Sequence, residues 1–394
     1  MARILFGSEF GANLGHIYPM LRLADRLAES GHEILFAVRS LTQAAEKIHA
    51  RGYQVIQGPY WLPPPVPNLR GMPTARYTDV LARQGFGLNN ILTSMARGWK
   101  DLVDVLKPDV VIADHSPCLS FVTRGRYPMV NFGNGFTLPP SNVKTFPFML
   151  NGTKPLVSES DLLGVFNSAA EELDVQPIKY LPEIFDTEGQ YVVTVPELDP
   201  YARVRKEGWV GPLEDHVEPS PPVREPQIFL YMAHRAKGAQ KLVEAVRLSK
   251  IPATLFVRDA PADFYEKYDS PVMKMLRQPA DFKEVIPASS LVIHSGGGGT
   301  STTCLLTGRP QVIAPTHLET SLSCRLMQAR GVAREVNEKM PLEQIVTVVS
   351  KMATDAAIRD KSAELATRLA GEDWGRALEI MVDGIENLLR RAGG

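Results

Sequence analysis

Short apolar runs alternate with longer stretches of helical periodicity along this chain, and that rhythm restricts its fold more than any other feature. Residues 3–7 (RILFG) read as a buried strand. A turn carrying Gly11 and Gly15 follows, then a helix with Ile17, Met20, Leu21, Ala24, Leu27 and Ala28 on one face. Gly31 ends that helix, and residues 33–38 (EILFAV) form the next strand. A helix over 41–50 and a strand over 53–57 repeat the unit. A helix over roughly 88–106 leads through Pro108 into DVVIAD, another apolar run that ends in a carboxylate. Strands alternating with helices predict parallel sheets joined by crossover helices, an α/β architecture.

At 394 residues the chain is too long for one ordinary core and suits two of similar size. Residues 212–226 (PLEDHVEPSPPVREP) hold five prolines and cannot form a sheet interior, so they are the expected linker. The rhythm then restarts with strand 227–232, helix 238–249 and strand 253–257. Further apolar runs at 290–293 and 311–314 follow at the same spacing. A last helix over 375–391 places Leu378, Met381, Ile385, Leu388 and Leu389 on one face. The domain expectation is 1–212, a linker over 213–226, 227–374, and a closing helix over 375–394.

Composition removes several function classes. The formal net charge is −1, which gives no basic field to hold nucleic acid or an anionic membrane. Only Cys118, Cys304 and Cys324 are present, a sparse odd set that argues against a disulfide framework and a zinc site. No apolar run reaches the ~18 residues of a membrane span. The start MARILFGSEF enters a strand directly and lacks the pattern of a secretory leader. The expectation is a cytoplasmic monomer or homodimer, with small molecules rather than nucleic acid as partners.

The strongest local signal is SLVIHSGGGGTSTTCLLTGRP at 290–310. A strand ends in His294, and Gly296, Gly297, Gly298 and Gly299 precede Thr300 and Ser301 at a helix start. Glycines let backbone N–H groups approach an oxyanion, and the helix N-terminus adds its positive end, so the segment reads as a diphosphate cradle. No lysine follows the glycines, which separates it from a Walker A loop. The alternative is a tight turn with His294 as a satisfied core residue.

His16 follows the first strand at the start of a helix, where open α/β sheets place ligands. A neutral imidazole there takes a proton near pH 7, and the helix end favours the neutral form. Asp114 ends VVIAD, and a neighbouring strand end would bring its carboxylate to orient His16; its alternative is a helix cap near Ser116. His115 competes for the base role. PTHLET at 315–320 places His317, Glu319 and Thr320 at another strand end, as sugar ligands or as a helix cap. Two proline- and aromatic-rich loops, 59–75 and 132–151, suit an apolar acceptor wall or simple surface wrapping.

Taken together these residues resemble the UDP-glycosyltransferase superfamily of the GT-B fold, in its bacterial branch that modifies antibiotics and other small molecules. The resemblance rests on Gly15-His16-Ile17-Tyr18-Pro19, on His294 with Gly296 to Ser301, and on Pro315 with Glu319. It implies two Rossmann-like domains facing each other across a cleft, with the last helix crossing back to the first domain. It further implies an inverting, metal-independent transfer of a sugar from a UDP- or dTDP-sugar, with no cofactor besides that donor. His16 would be the general base and Asp114 its partner. His294 and the glycine loop would stabilise the leaving diphosphate, Glu319, Thr320 and His317 would position the sugar, and Gln278, Pro279 and Thr303 would lie at the base and ribose. Gly15, Trp61, Phe86, Phe132 and Phe136 would face the acceptor. Thr303 and Thr320 stand where many members carry Glu and Gln, which leaves the donor base open. Rival readings are an epimerase of the same fold, a transferase acting on lipid at a membrane face, and a binding protein without turnover.

Overall fold

The computed structural model describes residues 1–11, 14–62, 72–150, 152–214 and 217–392. The chain divides into two compact units, one of Met1–Leu213 with Gly375–Gly394 and one of Glu214–Trp374. The division falls within the proline-rich segment, whose described residues form no helix or strand.

In the first unit the order is β1 (Arg3–Ser8), α1 (Leu14–Glu29), β2 (Glu33–Val38), α2 (Leu41–His49), β3 (Gln54–Gln57), α3 (Tyr77–Arg83), α4 (Asn89–Leu106), β4 (Val110–Asp114), α5 (Pro117–Thr123), β5 (Met129–Gly133), α6 (Glu159–Leu173) and β6 (Gly189–Val192). The strands pair in parallel in the order β3-β2-β1-β4-β5-β6. β4 and β5 are buried along their whole length. Such near-continuous apolar strands belong to sheets covered by helices on both faces. β3 (QVIQ) sits at the sheet edge and exposes both glutamines.

The second unit repeats this plan with β7 (Ile228–Ala233), α7 (Ala239–Ser249), β8 (Ala253–Arg258), α8 (Ala262–Tyr268), β9 (Met273–Met275), α9 (Phe282–Val285), β10 (Leu291–His294), α10 (Gly298–Thr307), β11 (Gln311–Ile313), α11 (Leu318–Ala329), β12 (Ala333–Glu335), α12 (Leu342–Thr354) and α13 (Ala356–Leu369). Its parallel order is β12-β11-β10-β7-β8-β9. In each unit the first strand lies beside the fourth, and the strand order reverses between them. Both sheets are therefore Rossmann-like, with topological switch points at β1/β4 and β7/β10, where such sheets bind ligands.

A final helix, α14 (Ala377–Ala392), belongs to the first unit. Ala377, Met381 and Ile385 lie on one helical face, at most 1% exposed, within the core cluster that holds Ile17, Met20 and Leu21 of α1. Burying side chains of the Met and Ile kind contributes about 1.5–3 kcal/mol each. His32 Nε2 and Glu386 Oε1, 2.9 Å apart, tie the helix to the start of β2. The last helix thus crosses back to the first unit, as the resemblance implies.

The elements read from periodicity are all present, with ends displaced by at most two residues. The loop expected over 132–151 starts differently: Phe132 is inside β5 and 2% exposed in the core. Of the other aromatic loop, residues 63–71 lie outside the described residues.

Candidate active site

Parallel register brings two distant segments together at the first switch point. Ser8 at the end of β1 pairs with Asp114 at the end of β4. The chain leaves β1, turns at Gly11 and enters α1, whose first turn carries His16. His16 Nδ1 lies 2.6 Å from Asp114 Oδ2, with side chains 16% and 5% exposed. With the carboxylate accepting, the proton resides on Nδ1 and Nε2 is the basic atom. Asp114 is therefore engaged with His16, while Ser116 takes the N-cap position of α5. Gly11 is required for this packing. A Cβ there would come within 2.6 Å of both His16 Cγ and Ser8 Oγ.

His115, the competitor for the base role, adopts a left-handed backbone with φ of 46°. Its carbonyl accepts from Phe10 N–H at 3.1 Å. The ring stacks on His16, with centroids 6.0 Å apart. Burial, then the nearby charges of His16 and Arg39, hold its pKa well below the usual histidine range, so it is neutral at pH 7. Asp114 pairs with His16, which leaves His16 the better-oriented base of the two.

Aromatic side chains gather beside this pair. Phe10, Trp61 and Phe86 pack mutually at 5.5–5.7 Å. The Arg39 guanidinium lies 4.9 Å over Trp61, and Trp61 Nε1 donates to Gln84 O at 2.9 Å. Of the residues expected at the acceptor, Gly15 is exposed and Trp61 half-buried. Phe86 and Phe136 are buried behind them. Phe132 packs among the core residues of the sheet and so supports the sheet instead of forming a wall.

At the second switch point His294 ends β10, 1% exposed. Its Nδ1 accepts from Gly296 N–H at 3.0 Å, and its Nε2 therefore donates to Gln311 Oε1 at 2.9 Å. Burial pushes its pKa down to about 4. The imidazole is a neutral, internally satisfied strut that shapes the loop, which corrects the expectation that it meets the diphosphate.

Gly296 has φ of 84°, and a Cβ there would lie 2.9 Å from Ile313 Cγ2 and 3.0 Å from Thr320 Cβ. Gly297 is the N-cap of α10, and Ser301 N–H donates back to its carbonyl at 2.9 Å. The N–H groups of Gly298, Gly299 and Thr300 precede that bond and have no carbonyl within the helix to meet, the arrangement that receives an anion. Gly297 and Gly298 are exposed, and Ser301 Oγ is buried without a hydrogen-bond partner among the described residues. A carboxylate already lies against this turn: a Cβ on Gly299 would sit 2.7 Å from Glu214 Oε1.

Several expected donor contacts are otherwise engaged. Thr320 Oγ1 accepts from Thr316 N–H at 3.0 Å and donates to His317 O at 2.9 Å. His317 Nδ1 accepts from Thr320 N–H, so the two close a capping box on α11 rather than facing a sugar. Thr303 Oγ1 donates to Gly299 O at 2.9 Å inside α10, and this corrects its expected place at the ribose. Glu319 is half-buried in the first turn of α11. Gln278 and Pro279 are exposed between β9 and α9. Among the described residues no group of three or more His, Cys, Asp or Glu side chains is placed to hold a metal ion, and no helix is long and apolar enough to cross a membrane.

Sequence reasoning missed Gln311, the partner of His294, and the buried polar residues Glu9 and Tyr77 that accompany His115. Glu9 follows β1 and His115 follows β4. Applying the switch-point rule to the residue after β1, and not only to His16, Asp114 and His115, would have found Glu9.

No family model and no curated protein matches this chain. Solved structures do. The calicheamicin glycosyltransferase CalG4 is 17% identical with a TM-score of 0.70, over 100% of both chains. The glycosyltransferase of kitacinnamycin is 16% identical with a TM-score of 0.68, over 98% of both chains. The glycosyltransferase VinC, solved in complex with dTDP, is 14% identical with a TM-score of 0.62, over 99% of this chain and 100% of that one. The chain shares the GT-B fold of these proteins.

Proposed function

We propose that this chain is an inverting glycosyltransferase that moves a sugar from a UDP- or dTDP-sugar to a hydroxyl of a small acceptor of natural-product type. The observation that carries the reading is the 2.6 Å contact between His16 Nδ1 and Asp114 Oδ2 at a switch point. The second switch point adds a glycine-opened helix N-terminus suited to a diphosphate, and the shared fold of natural-product glycosyltransferases agrees with both. His16 Nε2 takes the proton of the acceptor hydroxyl while that oxygen attacks the anomeric carbon. The bond from that carbon to the diphosphate oxygen breaks, and the leaving group departs with the electron pair. One displacement inverts the centre. Asp114 stabilises the imidazolium that forms. N–H groups at the start of α10 offset the charge on the diphosphate as a metal does in other enzymes, so the reading includes no metal. Glu319 is the remaining candidate for the sugar hydroxyls.

The test pairs binding with turnover. UDP and dTDP are screened for thermal stabilisation, then their sugars are incubated with phenolic acceptors and, separately, without acceptor. Stabilisation by one nucleotide, and a glycoside of inverted configuration that His16→Ala fails to make, is the expected result. Change of the sugar with donor alone would favour an epimerase, and no stabilisation by any nucleotide would remove the diphosphate reading.

A further inference from the structure

Behind His16 lie three of the first unit's several buried polar atoms without a hydrogen-bond partner among the described residues: Glu9 Oε1, Tyr77 Oη and His115 Nε2. Glu9 and Tyr77 are 0% exposed. An unsatisfied buried polar group costs about 1–3 kcal/mol, so three in one place require a reason. They are neighbours. The Tyr77 and His115 rings lie 6.1 Å apart, and Phe10, next to Glu9, meets His115 edge-on at 5.0 Å. Burial, then the nearby Tyr201 hydroxyl and the Glu9 carboxyl, raises the Tyr77 hydroxyl pKa well above its ordinary value.

The rest of the wiring holds the three in place without using these atoms. The other Glu9 oxygen, Oε2, accepts from Cys118 N–H at 2.8 Å and Leu119 N–H at 3.2 Å, in the first turn of α5. Burial pushes the Glu9 carboxyl up to about 8, so at neutral pH it is an acid with an O–H to donate. His115 is neutral and contributes one lone pair or one N–H. Phe136 packs against both the His115 and Tyr77 rings, at 5.8 and 6.4 Å. The result is an apolar frame around a neutral group of donors and acceptors, which suits an uncharged oxygen.

We propose that Glu9, Tyr77 and His115 form a socket for a second oxygen function of the acceptor, which is therefore an aromatic compound carrying a hydroxyl or carbonyl besides the hydroxyl that receives the sugar. The inference rests on the reading of His16 as the base for the acceptor hydroxyl. The His16 and His115 rings are 6.0 Å apart, so the two oxygens belong to one ring or to adjoining fused rings. The three residues are specificity determinants; the proton transfer remains with His16.

The experiment compares 2-naphthol with 2,7-dihydroxynaphthalene by calorimetric titration into the full chain, as wild type, Tyr77→Phe and His115→Asn. Asparagine tolerates the left-handed backbone at 115, and Tyr77→Phe removes one oxygen while keeping the ring, so at least one variant folds. The dihydroxy compound is expected to bind the wild type at least ~tenfold more tightly, and each variant to cut that ratio to about threefold or less. Equal affinities in the wild type, or a ratio unchanged in both variants, overturn the socket and leave the His16 reading intact if His16→Ala still abolishes transfer. Failure of both compounds to bind, while UDP or dTDP still stabilises the protein, overturns the socket together with an acceptor site in the first unit.

Discussion

The β1/β4 switch point presents a pair of titratable side chains, whereas the β7/β10 switch point presents backbone N–H groups at a glycine-opened helix start. The same topological position, the last residue of the fourth strand, is Asp114 in one unit and His294 in the other. Asp114 reaches sideways to a histidine in the first turn of the helix after the first strand. His294 turns inward to Gln311 on the next strand and to Gly296 on its own loop. A titratable residue at a strand end is thus no guide to its role until its partners are known. Where the partner is a carboxylate at a strand end and one ring nitrogen is left over, the pair can move a proton. Where both ring nitrogens meet internal groups, the imidazole is scaffolding, and in the proposed reading the glycines it braces receive the diphosphate.

Substitutions can break this contrast. The largest effect expected is from His16→Ala, which should lower transfer by about 10²–10⁴-fold while leaving the thermal shift from UDP or dTDP unchanged. Equal loss of both would merge the two sites into one. Asp114→Asn should lower turnover by a similar or smaller factor, with KM for the donor little altered, as read in steady-state kinetics. Gly296→Ala should do the reverse of His16→Ala. It forces a side chain onto Ile313 and Thr320 at a positive φ, and should abolish the nucleotide shift, which is about 2.7 kcal/mol at a hundredfold excess over the Kd.

A smaller effect is expected from Gln311→Leu, which strands the Nε2 hydrogen of His294 at a cost of about 1–3 kcal/mol, read as a lower urea midpoint. Titration sharpens the comparison further, because the two buried groups act in opposite directions. Glu9 is raised from 4.5 to about 8, so the unfolded chain loses its proton first and stability falls as pH rises between those values. His294 is lowered from 6.5 to about 4, so the unfolded chain gains its proton first and stability falls as pH drops through that window. Hydrogen exchange, corrected for its intrinsic pH dependence, should weaken β1 and β4 on the alkaline side and β10 and β11 on the acid side. The smallest effect is from Glu214→Gln. Removing a carboxylate from the start of α10 should tighten nucleotide binding by about 0.3–1 kcal/mol in calorimetry.

Much of the fold is legible in the sequence because its signals are local. An apolar run such as VVIAD is a buried strand wherever it falls, and Gly31 or five prolines in one segment stop an element without help from distant residues. The His16–Asp114 pair spans 98 positions; the rule that ligands gather at the strand ends where order reverses makes it a candidate, with a helix cap left as the alternative for Asp114. Roles decided by contact were less visible. Nothing in IHSGGGG says that a glutamine seventeen positions beyond His294 satisfies its ring. Phe132 resembles a loop aromatic until pairing with β4 and β6 draws it into the sheet. Thr320 and His317 carry groups suited to a sugar and equally suited to a helix cap, and the cap is formed within their own turn.

The return of α14 to the first unit has a consequence for how the protein is made. Synthesis runs from the N-terminus and domains generally fold in that order, but here the second unit is complete by Trp374, before the residues that finish the first have been added. Until Ala377, Met381 and Ile385 emerge, the apolar face they cover in the core of α1 and its sheet waits uncovered on the nascent chain. The unit begun first is finished last, and a ribosome that stalls within the closing helix would leave an intact second unit tethered to an unsealed first one.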